Sequence, residues 1–165
     1  MLSVRPYRAE ELPFMIQRGI ETAAWQVVPR ESPGATPLGV ATQLTWMYIR
    51  ALEHAESTAL VIDWPDPGRG AGGGPAAYTL LMPEPNPFTG ERELVVLDIW
   101  TNPALRGRGI GQRILDGAEA YGGTIGCQSM VAQIALQNQP SLNLFRKSGF
   151  QTERVVVGRR FGPKR

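Results

Sequence analysis

The sequence predicts a single α/β domain in which antiparallel strands come first along the chain and crossover helices later. Three observations support this prediction. The chain has 165 residues, which matches the roughly 100–200 residues of a common single domain. Apolar runs typical of strands alternate with segments whose apolar residues recur at helical spacing. Clusters drawn from 19 glycines and 14 prolines separate these segments and mark the loops.

The N-terminal half predicts two helices between short strands. An edge strand at 3–6 precedes a helix at 9–25, in which Leu12, Ile16 and Ile20 recur every four residues and acidic side chains occupy the first turn. A proline-rich loop at 29–39 leads to a second helix at 42–55. Strands at 58–63 and 76–82 follow, joined by a glycine-rich loop at 65–75.

The C-terminal half predicts the remaining strands and the crossover helices. A loop at 83–90 precedes the strongest strand signal, at 93–101. A turn at 102–108 opens a helix at 109–121, which Gly122, Gly123 and Gly126 are expected to end. A strand at 130–136, a helix at 140–148 and a last strand at 151–160 complete the order β-α-α-β-β-β-α-β-α-β.

Composition excludes several classes of protein. Hydrophobic residues make up 42% of the chain and charged residues 19%, a balance that excludes charge-driven disorder. No run reaches the ~18 uncharged apolar residues of a membrane span, and the first residues do not resemble a signal peptide, so we expect a soluble cytoplasmic protein without a membrane partner. The single cysteine, Cys127, and the single histidine, His54, argue against a disulfide, a metal site or a Ser-His-Asp triad.

The charge of the chain is unevenly distributed. The net charge is only +2, which does not by itself predict a nucleic-acid partner. Residues 146–165, however, carry seven basic side chains and one acidic one, Glu153. Such a basic end is usually solvated, but it is also able to attract a phosphorylated ligand. Binding of nucleic acid by this basic end stays open as the weakest of the functional hypotheses.

A glycine-rich turn between the strongest strand and the next helix is the most informative segment. It reads Arg106-Gly107-Arg108-Gly109-Ile110-Gly111. Glycines there allow a close backbone approach to a ligand, and the helix N-terminus adds free N–H groups and a partial positive charge, which together suit a phosphate or diphosphate. The spacing fits neither the dinucleotide fingerprint G-x-G-x-x-G nor the P-loop. A glycine-softened turn with two solvated arginines is the alternative.

Two motifs resemble those of the GNAT superfamily of acyl-coenzyme A-dependent N-acyltransferases. Arg106, Gly109 and Gly111 occupy the family pattern Arg/Gln-x-x-Gly-x-Gly/Ala, and Pro103-Ala104-Leu105-Arg106-Gly107 matches the approach to it. The stretch 138–150, which reads Asn-Gln-Pro-Ser-Leu-Asn-Leu-Phe-Arg-Lys-Ser-Gly-Phe, resembles the second family motif, Asn-x-x-Ala-x-x-Leu-Tyr-x-Lys-x-Gly-Phe. The match covers about residues 94–150, and the chain is identified as one GNAT-like domain over 1–165.

The resemblance implies a mixed, mostly antiparallel, splayed sheet flanked by helices, with acetyl-coenzyme A as cosubstrate wedged between two diverging strands. The backbone of Ile99, Trp100 and Thr101 is then expected to bind the pantetheine amides, since diverging strands leave N–H and C=O groups unpaired. The turn residues Arg106, Gly107, Arg108, Gly109, Ile110 and Gly111 are expected to hold the diphosphate. Asn138, Ser141 and Phe145 are expected to line the thioester side.

Acetyl transfer to a primary amine requires a group that accepts the proton of the amine. Asp98 is the expected base, because it precedes the coenzyme-binding backbone at a position where relatives often carry Glu or Asp. Burial there would raise its pKa towards a useful range. Glu93 or Glu84 acting through water is the alternative, as is a purely structural hydrogen bond of Asp98.

Two departures from the family pattern affect the expected function. Phe145 stands where many relatives carry a tyrosine that protonates the leaving thiolate, which leaves open a non-catalytic acyl-coenzyme A sensor or regulatory module. The short C-terminus favours a homodimer, because a further strand that commonly completes the acceptor pocket is expected to be missing. No motif in the sequence identifies the acceptor. A pocket in which Glu21, Glu31 and Glu84 converge would suit a cationic amine.

Overall fold

The computed structural model describes residues 2–64 and 74–161, and it contains one five-stranded sheet with helices on both faces. The predicted loop at 65–75 therefore lies mostly outside the described residues. The main elements are β1 (Val4–Pro6), α1 (Leu12–Thr22), α2 (Pro37–Glu53), β2 (Thr58–Asp63), β3 (Pro75–Pro85), β4 (Arg92–Thr101), α3 (Ile110–Thr124), β5 (Ser129–Ala132) and α4 (Gln139–Lys147). None of the described helices is both long and apolar enough to cross a bilayer.

The strands lie in the order β1-β2-β3-β4-β5, and only the β4–β5 pair is parallel. The predicted fold class, a mixed and mostly antiparallel sheet flanked by helices, is confirmed. The parallel pairing is short, because it runs from Glu93 opposite Ser129 to Val96 opposite Ala132. β4 continues to Thr101 in its pairing with β3. The sheet therefore opens between β4 and β5 beyond Val96.

A β-bulge in β4 decides which side chains face which helices. Leu81 pairs with Val96 and the preceding Leu80 pairs with Asp98, so Leu97 is an extra residue in β4. A bulge breaks the strict alternation of side chains along a strand. Val96 packs with the core on the α3 side, whereas Leu97 packs with the core on the α1 and α2 side. Asp98 also faces α1 and α2.

Two apolar cores lie on opposite faces of the sheet. The first packs α3 and Phe145 of α4 against β2, β3 and β4, and its centre includes the fully buried Ile114 and Leu115. The second packs Met15 of α1 and Tyr48 of α2 against Tyr78 and Trp100. Burial at roughly 25 cal/mol per Å² of apolar surface on both faces holds β4 between them.

Two helices extend beyond their predicted ends. α2 begins at Pro37 instead of 42, because the Thr36 hydroxyl caps it by accepting a hydrogen bond from the Gly39 N–H at 3.1 Å. α3 runs through Gly122 and Gly123, which were expected to end it. A Cβ on Gly122 would lie 3.1 Å from Leu94 Cδ2, so this glycine lets the helix approach β4 closely.

Three strand boundaries also differ from the prediction. β3 extends through Pro83 to Pro85, and the loop that follows it is correspondingly shorter. β5 ends at Ala132 instead of 136, because the chain beyond it turns to the α1–α2 segment. There the Ala135 N–H donates to Gln26 Oε1 at 3.2 Å and Gln137 Nε2 donates to the Val27 carbonyl at 2.8 Å.

The prediction of a last strand at 151–160 is wrong. Within the described part of the chain, residues after Phe150 form no regular secondary structure, and Val155, Val156 and Val157 are 77–89% exposed. The segment instead contacts loops, since the Arg154 guanidinium lies 4.7 Å from the centre of the Phe88 ring and Gly158 lies against Arg30. Three valines favour extended backbone, but a strand also needs a neighbour that pairs with it.

Candidate active site

The open edge of β4 brings together the backbone that was expected to bind a ligand. Ile99, Trp100 and Thr101 lie beyond the last β4–β5 pair, so in the described structure no strand pairs with them on that side. On the other side they pair with Thr79, Tyr78 and Ala77 of β3. Unpaired strand N–H and C=O groups need partners, and an extended ligand with amides supplies them in the manner of an added strand.

The glycine turn follows this open edge after a short 3-10 helix at Pro103–Leu105 and leads into the N-terminus, or head, of α3. Gly107 and Gly109 have φ angles of +77° and +75°, in the left-handed region, and no heavy atom lies within 4 Å of a Cβ built on either. Gly109 is the N-terminal cap residue of α3, and no side chain caps the helix there. The first N–H groups of α3 therefore lack an intrahelical acceptor, and the space beside Gly107 and Gly109 is open, as an anion site requires.

The other turn residues differ in what they face. Arg106 and Arg108 are exposed, and the Arg108 guanidinium lies 5.5 Å from the centre of the Trp64 ring. The side chain of Ile110 is buried in the core, so only its backbone is available at the turn. A Cβ on Gly111 would lie 3.0 Å from Leu144, so this glycine lets α3 pack closely on α4.

Asp98 is half-buried and forms a hydrogen-bond network with two buried tyrosines on the other face of the sheet. Its Oδ2 accepts a short hydrogen bond from the Tyr48 hydroxyl, and the Tyr78 hydroxyl lies 3.2 Å from the same oxygen. The Tyr78 hydroxyl also lies 2.9 Å from the Met15 carbonyl oxygen. A Cβ on Gly19 would be 3.2 Å from Asp98 Oδ2, so the absence of a side chain there lets α1 cover the carboxyl group.

Burial sets the protonation of this network. It raises the pKa of the Asp98 carboxyl, while hydrogen bonds from Tyr48, Tyr78 and the Ile99 N–H oppose that rise. Burial and the nearby Asp98 charge raise the pKa of Tyr48 and of Tyr78 well above the ordinary value. Both phenols therefore remain protonated donors, and Asp98 is the group in the network whose charge changes most readily.

The second motif supplies a helix cap and a core residue. Asn138 is buried, and its Oδ1 caps α4 by accepting a hydrogen bond from the Ser141 N–H at 3.3 Å. Ser141 is half-buried. Phe145 is only 4% exposed and packs edge-on against Phe150 with ring centres 4.8 Å apart. Most of its ring therefore belongs to the core on the α3 side.

The alternative acids are separated from Asp98 along the chain and engaged elsewhere. Glu93 lies at the opposite end of β4, where its Oε1 accepts from Asn86 Nδ2 at 2.7 Å and from the Ser129 hydroxyl at 3.3 Å. Glu84 pairs with Glu93 in the sheet and is exposed.

Two of the glutamates that would suit a cationic amine form ion pairs within the domain. Glu21 pairs with Arg18 at 2.6 Å and Glu31 pairs with Arg30 at 2.8 Å, which compensates their charge.

Sequence reasoning missed the partners of Asp98. Tyr48, Tyr78 and Gly19 were not singled out as functional residues. The helical spacing of Tyr48 does place it on the inward face of α2, where it is fully buried. Its contact with Asp98 spans 50 residues and depends on the bulge at Leu97, which local sequence does not indicate.

The model of the acetyltransferase (GNAT) family matches residues 26–150. No curated protein sequence matches the chain. A protein from Pyrococcus furiosus assigned as an acetyl transferase superposes with a TM-score of 0.77 at 13% identity, over 98% of this chain and all of that one.

Two further solved structures share the fold at low sequence identity. An aminoglycoside N-acetyltransferase in complex with CoA has a TM-score of 0.65 at 18% identity, over 97% of this chain and 95% of that one. A transcriptional regulator from Bacillus halodurans has a TM-score of 0.66 at 15% identity, over 98% of this chain and all of that one. At such identities these likenesses establish the fold and not the substrate.

Proposed function

Because this chain belongs to the acetyltransferase (GNAT) family, we propose that it transfers an acetyl group from acetyl-coenzyme A to a primary amine by direct attack. One observation carries the proposal. The unpaired edge of β4 is followed, after a short 3-10 helix, by an uncapped head of α3 with left-handed glycines. An extended ligand with amides at one end and a diphosphate at the other fits both features.

In this proposal, the coenzyme binds along the open edge of β4 and the head of α3. The backbone of Ile99, Trp100 and Thr101 pairs with the pantetheine amides. The N–H groups of Gly109, Ile110 and Gly111 bind the diphosphate, and the exposed Arg106 and Arg108 add charge-assisted contacts. Asn138 and Ser141 border the thioester end, whereas the edge of Phe145 contributes only apolar surface there.

Asp98 acts as the base in this mechanism. A free alkylamine has a pKa of about 10 and is mostly protonated at neutral pH, so it first gives one proton to the solvent, and the neutral nitrogen then attacks the thioester carbonyl carbon. The attack forms the C–N bond and places positive charge on nitrogen, and Asp98 accepts one of the protons that this nitrogen carries, directly or through water. A carboxyl group whose pKa is raised by burial accepts a proton more readily near neutral pH than an ordinary aspartate.

The leaving group departs in the last step. The C–S bond breaks, and the coenzyme leaves as a thiolate that takes a proton from water or from a neighbouring hydroxyl such as that of Ser141. The thiol has a pKa of about 8.5, like cysteine, so the thiolate leaves without a strong acid. Phe145 donates no proton, and we expect turnover roughly 10²–10⁴-fold below that of a relative with an effective acid.

A thiol-release assay tests the proposal. Acetyl-coenzyme A and a panel of primary amines are incubated with the protein, and free coenzyme A is measured against a reaction without amine. Amine-dependent release that Asp98→Asn reduces at least 100-fold would support acetyl transfer. Coenzyme binding without turnover on any amine would contradict it.

A non-catalytic acyl-coenzyme A sensor is the second candidate, and Phe145 is the observation that favours it. The sensor needs the open edge of β4 and the head of α3 but no base. It therefore predicts equal coenzyme affinity for the wild type and Asp98→Asn, with no amine-dependent thiol release from either.

We further propose that the protein forms a homodimer. The exposed Val155–Val157 segment is unpaired, and β5 is an edge strand with one neighbour in the described sheet. A second copy would supply cover for both. Light scattering at micromolar concentration is expected to give twice the monomer mass, and a stable monomer would contradict the proposal.

A further inference from the structure

A cavity separates the segment between α1 and α2 from the C-terminal segment. It has a volume of about 650 Å³ and opens to solvent. Val27, Val40 and Phe161 give it apolar walls, while three arginines, Arg30, Arg159 and Arg160, stand around them. Arg159 and Arg160, two of the basic C-terminal residues that sequence analysis singled out, thus lie against the rest of the domain.

The charge of this cavity is positive. Arg30 forms an exposed ion pair with Glu31 at 2.8 Å, which compensates one of the three guanidinium groups. Arg160 is held near the wall by a weak hydrogen bond, at 3.4 Å, to the Arg30 carbonyl oxygen. Across residues 2–64 and 74–161, neither Arg159 nor Arg160 forms an ion pair with a carboxylate. Two uncompensated guanidinium groups beside apolar walls suit a ligand with an anionic group.

One wall of the cavity contacts the segment that precedes the proposed thioester end of the coenzyme path. Val27 lines the cavity, and its carbonyl oxygen accepts a hydrogen bond from Gln137 Nε2 at 2.8 Å. Gln137 is followed directly by Asn138, the cap of α4. A molecule that fills the cavity therefore extends towards the segment where the acetyl group is expected to be exposed.

We infer that the cavity binds an anionic group of the acceptor, so that the preferred acceptors are primary amines that also carry a carboxylate or a phosphate. The inference rests on the proposed acetyl transfer. Arg159 and Arg160 bind the anionic group, Val27 and Val40 contact the carbon chain, and the amine reaches the thioester. This assignment replaces the expectation of a cationic amine bound by converging glutamates.

Matched amines of similar length test the inference. The panel contains 4-aminobutanoate and 3-aminopropyl phosphate as anionic amines, butylamine as the neutral-tailed one and 1,4-diaminobutane as the cationic one. Thiol release gives kcat/KM for each, at fixed low ionic strength and saturating acetyl-coenzyme A. The variants are Arg159→Gln, Arg160→Gln and their double variant. Arg154→Gln is the matched control, because Arg154 lies on the same segment but over Phe88.

The expected result is that an anionic amine is preferred to butylamine by about 10- to 100-fold, through a lower KM. The double variant loses that preference through a higher KM for the anionic amines, and Arg154→Gln behaves as the wild type. Equal kcat/KM for anionic and neutral amines would overturn the inference while leaving acetyl transfer intact. So would variants that raise only the KM of acetyl-coenzyme A, since the arginines would then bind the coenzyme.

A binding measurement keeps the two proposals distinguishable. If no amine is acetylated, the proposed function fails, and calorimetric titration of the full chain with 3-aminopropyl phosphate still decides the inference. Heat that the double variant abolishes and Arg154→Gln retains would support an anion site in the cavity. Absence of heat from the wild type at millimolar ligand would refute it.

Discussion

Removing the Tyr48 hydroxyl should shift the pH dependence of catalysis. In the wild type this hydroxyl donates to Asp98 Oδ2 and so stabilises the ionised form of the carboxyl, which is the form that acts as a base. Tyr48→Phe keeps the ring in the core and deletes only the donor. The pKa of Asp98, already raised by burial, should rise further, so a smaller fraction of the enzyme is active at pH 7.

The size of the shift follows from the strength of that hydrogen bond. A hydrogen bond to a charged group contributes about 1.5–3 kcal/mol, and one pKa unit corresponds to about 1.4 kcal/mol. The acid limb of the profile of kcat/KM against pH should therefore move upward by about 1–2 units. The measurement is thiol release with one amine between pH 5 and 9. The titration of the amine itself is common to both enzymes and cancels in their ratio.

Tyr121→Phe is the matched control, because the Tyr121 hydroxyl also donates a hydrogen bond, at 2.6 Å, but to the carbonyl of Glu56. It should leave the acid limb unmoved. A uniform loss of rate for Tyr48→Phe at every pH would show that Tyr48 is only structural. A shift of the limb to lower pH would refute the assignment of Asp98 as the base.

Three further predictions concern the stability of the fold. Gly109→Ala should lower the free energy of unfolding, measured with denaturant, by about 1–2 kcal/mol, because its φ of +75° is strained for alanine. Gly123→Ala should raise it by about 0.5–1 kcal/mol, because Gly123 lies inside α3 with open space around it. Equal effects of the two variants would contradict this reasoning. Arg5→Gln should lower the free energy of unfolding by about 1–3 kcal/mol at neutral pH, because Arg5 forms ion pairs that lower the pKa values of Glu11 and Asp63. Asp63 contributes less of this stability because it is half-exposed. The loss should shrink as pH falls below about 4, where both carboxyl groups become protonated, and a loss constant with pH would exclude the ion pairs as its cause. Because the pKa of Asp98 is raised in the folded protein, the stability of the wild type should decline as pH rises from about 4 through that pKa. Asp98→Asn should lack this decline, so chemical denaturation should show the variant more stable relative to the wild type at pH 8 than at pH 4. The opposite trend would contradict the raised pKa.

Features that depend on short stretches of sequence were predictable. The apolar run of β4 gave its extent to within one residue, because a buried strand needs little more than a continuous apolar run between turns. The turn at the head of α3 was equally predictable, because glycine is the residue that adopts the left-handed backbone found at Gly107 and Gly109. The order of elements through α4 followed from the same local signals.

Features that depend on distant pairing were not predictable. The bulge at Leu97 exists only in the register between β3 and β4, and it places Asp98 beside Tyr48 and Gly19, which lie 50 and 79 positions away in the chain. The predicted strand around Val155–Val157 failed for the opposite reason. Its local preference for extended backbone is strong, but no strand pairs with it in the described structure.

Calorimetric titration with coenzyme A and, separately, with pantetheine tests most directly whether the head of α3 binds a diphosphate. The wild type should bind coenzyme A at least 10-fold more tightly than pantetheine, because only coenzyme A reaches the N–H groups after Gly109. Gly109→Val should remove most of that difference, and Gly123→Ala should preserve it. Equal affinity for both ligands, or no heat with coenzyme A at millimolar concentration, would contradict the account.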